Sequence, residues 1–143
     1  MIAIGADHGG FVLKEELIKS FEGELEFKDF GTMGTISVNY PDIAFKVAES
    51  VANGECEAGI LICRSGIGMA ICANKVKNIR CARVVNKEEA IETRLHQNAN
   101  VIALSSKTPN IEEVLDSFIN TKYIYEERHQ RRIDQIKSYE NME

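Results

Sequence analysis

Cys63-Arg64-Ser65-Gly66-Ile67-Gly68 carries the strongest chemical signal in the chain. A thiolate is both base and nucleophile. Glycines allow close backbone approach and leave N–H groups exposed. With a helix dipole behind them, such groups form an anion site. The same field favours thiolate over thiol. Ser65 adds a hydroxyl able to pass a proton. A base, a hydroxyl and an anion hole would then share one loop, with Arg64, Gly66, Ile67 and Gly68 around them. The same residues also fit a buried apolar cysteine beside a tight turn. Gly66-x-Gly68 starts a dinucleotide fingerprint, but Ile71 occupies its third small position. Gly5, Gly9 and Gly10 have the wrong spacing too, which counts against a nucleotide-binding protein.

Three further groups can do chemistry. Asp7 and His8 precede Gly9-Gly10 and could hold sugar hydroxyls or phosphate, although Asp7 equally suits a helix cap. His96 ends a helical stretch. There it is either a cation favoured by the helix dipole or a general acid near neutral pH. Arg128 and Arg132 are four apart, hence on one helical face. Their two guanidinium forks would suit a phosphate. Pairing with Glu126, Glu127 and Asp134 is the alternative.

These residues need elements to position them. Met1 to Ala6 reads as a buried strand, and Leu13, Leu17, Ile18 and Phe21 follow at helical spacing. Leu25 to Phe30 is a weaker strand. Ala44, Val47, Ala48 and Val51 form a helical stripe, with Pro41 near its start and Asn53-Gly54 at its end. Ala58 to Cys63 is the most strand-like segment, and Gly66 to Lys75 looks helical. A strand over Ile79 to Val85 precedes a capping box at Asn86 and Glu89, opening a helix to about His96. Asn100 to Leu104 is the fifth strand. A helix then carries Ile111, Val114, Leu115, Phe118 and Ile119 on one face, and a charged helix spans roughly Glu126 to Tyr139. Five β-α repeats with short connections predict a parallel sheet covered on both faces. Ligands of such sheets bind beyond the carboxyl ends of the strands. That places Asp7 to Gly10, Gly31 to Gly34, Cys63 to Gly68, Asn86 and Ser105 to Lys107 in view.

Bulk composition narrows the classes. A chain of 143 residues suits one domain, and 44% hydrophobic residues argue against disorder. The net charge of −5 argues against a nucleic-acid partner. No apolar run is long enough for a membrane span. Ile2-Ala3-Ile4-Gly5 opens directly on a strand pattern, which predicts no secretion signal and a cytoplasmic chain. Cys56, Cys63, Cys72 and Cys81 match no zinc spacing. Disulfides are not expected in that compartment.

In order and spacing the motifs resemble the type B ribose-5-phosphate isomerase family, which includes the galactose-6-phosphate isomerase subunits. The resemblance runs from Gly5-Ala6-Asp7-His8-Gly9-Gly10 and Leu13-Lys14 through Asp29-Phe30-Gly31-Thr32 and Tyr40-Pro41-Asp42. Its most specific block is Gly59 to Cys63, then Ser65 to Gly68 and Ala73-Asn74-Lys75. Arg94, His96, Asn100-Val101 and Arg128-His129-Gln130 with Arg132 complete it.

The resemblance implies one sugar-phosphate isomerase domain over residues 1–143. Its fold would be a Rossmann-like three-layer α/β/α sandwich with a five-stranded parallel sheet and an extended C-terminal helix. It implies aldose–ketose interconversion of D-ribose 5-phosphate and D-ribulose 5-phosphate, a pentose phosphate pathway reaction, through a cis-enediolate. Cys63 matches the base, Ser65 the hydroxyl that handles the sugar-oxygen proton, and His96 the acid that opens the ring. Asp7 and His8 match substrate contacts, Arg64 to Gly68 the enediolate-binding amides, and Arg128 and Arg132 the phosphate ligands. No metal or other cofactor is implied. A homodimer with active sites at the subunit interface is.

Three positions depart from the commonest pattern. Arg64 replaces a glycine, Gln97-Asn98 stands where Asn-Asp is usual, and Lys107 stands for an arginine. These bear on substrate range and leave open a six-carbon sugar phosphate (allose or galactose 6-phosphate) or a non-catalytic sugar-phosphate module. The Arg128-to-Arg132 end favours ribose over galactose.

Overall fold

Strand and helix alternate along the chain because apolar runs of strand length alternate with stripes of helical period. The computed structural model describes residues 1–34 and 36–142. Its elements are β1 (Ile2–Ala6), α1 (Phe11–Ser20), β2 (Phe27–Asp29), α2 (Tyr40–Ala52), β3 (Ala58–Cys63) and α3 (Ile67–Ala73). They continue as β4 (Cys81–Arg83), α4 (Lys87–Gln97), β5 (Val101–Ser105), α5 (Ile111–Asn120) and α6 (Glu127–Glu140). The five strands form one sheet in the order β2-β1-β3-β5-β4, and every pairing is parallel. The expected Rossmann-like α/β/α sandwich is therefore present, with α6 as the extended C-terminal helix.

Strand alternation sorts the core into two layers. Ile2, Ile4, Ala6, Ile60, Ile62, Ile102 and Leu104 face one way, with Leu17 and Phe21 of the α1 region and Val114, Leu115 and Phe118 of α5. Ala3, Leu61, Cys63, Val101 and Ala103 face the other, beneath Val47 and Ala48 of α2 and Met69 of α3. Burying one such large side chain stabilises by about 1.5–3 kcal/mol.

The edge strands are shorter than their sequence patterns. β2 and β4 each pair on one side only, with β1 and β5, so flanking residues find no second ladder. α3 begins at Ile67 rather than Gly66, because Gly66 has φ +78°, outside the helical region. Asn86 Oδ1 accepts the Glu89 N–H at 2.8 Å, as its capping role predicts. The Glu89 carboxylate reaches the Val85 N–H, one residue earlier than a capping box requires. Lys14 breaks the α1 pattern. It is fully buried, and its ammonium meets Asp29 at 2.6 Å and Glu15 at 2.7 Å. Among the described residues, no helix is long and apolar enough to cross a membrane.

Candidate active site

Strand order places the switch point of the sheet between β1, whose chain moves outward to β2, and β3. The loops after these two strands meet there. Gly10 allows their close approach, since a Cβ on it would fall 2.6 Å from the Ile62 carbonyl oxygen. Asp7 Oδ1 accepts the N–H groups of Gly9 at 2.9 Å and Gly10 at 3.1 Å. Asp7 does not cap α1, which starts after Gly10 with no side-chain cap; its Oδ1 instead holds the turn that precedes the helix. His8 is exposed beside it.

Cys63 ends β3 and is only 6% exposed. The Gly66 N–H donates to its Sγ at 3.0 Å. A donor aimed at sulfur stabilises negative charge there. The Ile67 N–H donates to Ser65 Oγ at 3.2 Å. Two side chains from neighbouring strands hold the loop from outside. Ser105 Oγ donates to the Arg64 carbonyl at 2.7 Å, and Arg83 Nε donates to the Ser65 carbonyl at 2.9 Å. The Lys107 N–H donates to the same Ser105 Oγ at 3.1 Å. Arg64 itself is exposed, which gives its bulky side chain room. At Gly68 a Cβ would lie 2.7 Å from the Tyr40 hydroxyl oxygen, so a phenol stands over the start of α3. The sequence alone assigns no role to Tyr40, Arg83 or Ser105. Tyr40 is visible within Tyr40-Pro41-Asp42 and Ser105 by its place at the end of the fifth strand, whereas nothing local marks Arg83.

The remaining predicted residues lie elsewhere. α4 must carry the chain from the end of β4 back to the start of the parallel neighbour β5. Its last residues, His96 and Gln97, therefore sit at the amino-terminal edge of the sheet. Arg80, just before β4, donates to the Gln97 carbonyl at 3.0 Å. β3 and β5 pair from Gly59↔Val101 to Cys63↔Ser105. The edge holding His96 is thus about 13 Å along the strands from the edge holding Cys63. Within one chain these two residues do not meet.

α6 joins His96 at that far edge. The His96 and His129 rings stack at 4.4 Å. Arg128 pairs with Glu126 at 3.2 Å and Arg131 with Glu127 at 3.4 Å. Arg132 lies in no ion pair among the described residues. It borders an open groove of about 890 Å³ lined also by Gln97, Cys81, Ile136 and Tyr139. The predicted residues thus form two clusters. Asp7, His8, Cys63 to Gly68 and Lys107 stand at one edge, and His96, Gln97, Arg128 and Arg132 at the other.

Burial acts on the thiols of Cys81 and Cys72. Burial pushes the Cys81 thiol up to about 12. Burial, then the charge of Cys63, raises that of Cys72. Both remain thiols at neutral pH. Burial, the His96 ring and the Arg128 and Arg132 guanidiniums hold His129 below the usual imidazole range, against the pull of Glu126. No group of three or more His, Cys, Asp or Glu among the described residues is arranged to hold a metal ion.

The sequence profile of the ribose/galactose isomerase family matches residues 2–136. The chain is 37% identical to ribose-5-phosphate isomerase B of Escherichia coli, over 97% of this chain and 95% of that protein. It superposes on ribose-5-phosphate isomerase B of Clostridium thermocellum with a TM-score of 0.92 at 40% identity, covering 97% and 96% of the two chains. The Mycoplasma genitalium enzyme, solved with bound ribulose 5-phosphate, gives a TM-score of 0.92 at 37% identity, covering 99% and 97%. With a matching profile over nearly its whole length and the same fold, this chain belongs to the ribose/galactose isomerase family.

Proposed function

We propose that the chain interconverts D-ribose 5-phosphate and D-ribulose 5-phosphate in the cytoplasm, with Cys63 as the proton-transfer base. The observation that carries this reading is the Gly66 N–H donated to Cys63 Sγ at the switch point. The thiolate removes the C2 proton and returns it at C1. The intervening cis-enediolate carries negative charge on oxygen, which the amides from Ser65 to Gly68 stabilise. Ser65 Oγ moves the proton between O1 and O2. Asp7, His8 and Lys107 contact the sugar phosphate. The relative solved with ribulose 5-phosphate supports a five-carbon substrate.

The ring-opening acid is His96 of a second copy, and Gln97, Arg128 and Arg132 of that copy hold the rest of the substrate. Separation of the two clusters within one chain supports this. Apolar surface adjoins each cluster: Ile67 and Ile71 are 51% and 58% exposed beside Cys63, and Ile136 and Tyr139 are 47% and 77% exposed beside Arg132. The β4 edge also has an open ladder, which a partner would cover. A two-fold pairing that joins unlike clusters makes two complete sites. Phosphate binding then fixes C1 and C2 near the base.

Replacing Cys63 with alanine should leave ribose 5-phosphate binding intact in calorimetry and abolish exchange of the C2 proton with solvent. Isomerisation near the parental rate would reject Cys63 as base.

A further inference from the structure

We propose that Arg83 and Ser105 are positioning residues for the reaction at Cys63, acting through the two peptide planes of its loop. The inference rests on Cys63 being the base. In a trans peptide the C=O and the N–H of one plane point in opposite directions. The Ser65 carbonyl and the Gly66 N–H belong to one such plane. Arg83 Nε holds the oxygen at 2.9 Å, while the N–H meets Cys63 Sγ at 3.0 Å. Fixing one end of the plane aims the other end at the sulfur.

The preceding plane is held in the same way. Its Arg64 carbonyl accepts Ser105 Oγ–H at 2.7 Å, so the Ser65 N–H points away from Ser105. The Cys63 carbonyl also accepts the Ser106 N–H at 2.8 Å. Three successive carbonyls are therefore fixed by β4, by β5 and by the residue after β5. Arg83 is the only charged donor of the three. Hydrogen bonding to its guanidinium polarises the Ser65–Gly66 peptide and strengthens the N–H as a donor. A glycine with φ +78° would otherwise leave this plane free to rotate. The chain thus holds the amide in place before substrate arrives.

The test uses the full chain with Arg83→Met and, separately, Ser105→Ala. Both kcat and KM for ribose 5-phosphate are measured, together with the rate of Cys63 alkylation by iodoacetamide at fixed pH, resolved by peptide mass. Arg83→Met should lower kcat by about ten- to a hundredfold, the worth of one charge-assisted hydrogen bond. Its KM should stay within about twofold, and Cys63 alkylation should slow. Ser105→Ala changes no charge, so the same pattern there, smaller in size, reports direction rather than field.

Parental kcat and alkylation rate in Arg83→Met overturn the proposal. So does an effect in Arg83→Met with none in Ser105→Ala, which would assign the result to charge alone. If Arg83→Met does not fold, Ser105→Ala decides. Loss of turnover in Cys63→Ala with normal Arg83→Met and Ser105→Ala rejects the clamp and leaves the base. Turnover retained in Cys63→Ala rejects the base, and alkylation still reads the clamp.

Discussion

The imidazole of His96 lies flat against that of His129, with ring centroids 4.4 Å apart and planes inclined by 20°. This contact ties the end of α4 to the start of α6. It also fixes a predicted ring-opening acid at the sheet edge farthest from Cys63.

Subunit complementation follows from that placement. Cys63→Ala and His96→Gln variants should each be inactive as pure proteins. Mixed under conditions that allow subunit exchange, they should regain roughly a quarter of parental activity, since half the dimers are hybrids with one intact site each. A mixture as inactive as its components would reject a site shared between chains.

Arg132 should act on binding more than on chemistry. Arg132→Ala should raise KM for ribose 5-phosphate by about ten- to a hundredfold with a smaller change in kcat, because a charge-assisted contact to phosphate is lost. Steady-state kinetics with an unchanged KM would remove Arg132 from the phosphate site.

His129 should make the protein acid-sensitive. Its folded-state value is depressed, by burial first and then by His96, Arg128 and Arg132. The unfolded chain therefore binds more protons as pH falls through the ordinary histidine range, near ~6.5. The stability is fully present above that range and is lost as pH falls through it toward the folded value. His129→Gln should flatten the fall in Tm between about pH 7.5 and 5. Parallel Tm curves for parent and variant would show that His129 is not the group responsible.

Lys14 should matter for stability. Its ammonium is fully buried and bonded to Asp29 at 2.6 Å, and Asp29 in turn accepts the Gly31 N–H at 2.9 Å. Lys14→Met keeps the apolar stem and leaves that carboxylate without its cation. A loss of about 3 kcal/mol in urea unfolding is expected, the scale of a broken buried pair. A midpoint shift worth much less would mean that Asp29 is satisfied by solvent.

Local sequence pattern sets the order of elements, the parallel sheet and the loop at Cys63. Those depend on local period, on glycine and on short connections, all written within a few residues of one another. β3 matches its predicted bounds, Ala58–Cys63, because an uninterrupted apolar run is paired on both sides. Local pattern could not reveal that Lys14 is a core residue, because its partner Asp29 lies fifteen positions away. Nor could it reveal that Arg83 and Ser105 donate to carbonyls of the Cys63 loop. Their contacts exist only because β4 and β5 lie alongside each other on the same side of β3. Tertiary structure likewise decided that Cys63 and His96 stand at opposite edges of one sheet. In sequence they are two members of one motif set. In space a helix that must return the chain to the start of a parallel strand carries His96 away from the edge where Cys63 ends its own.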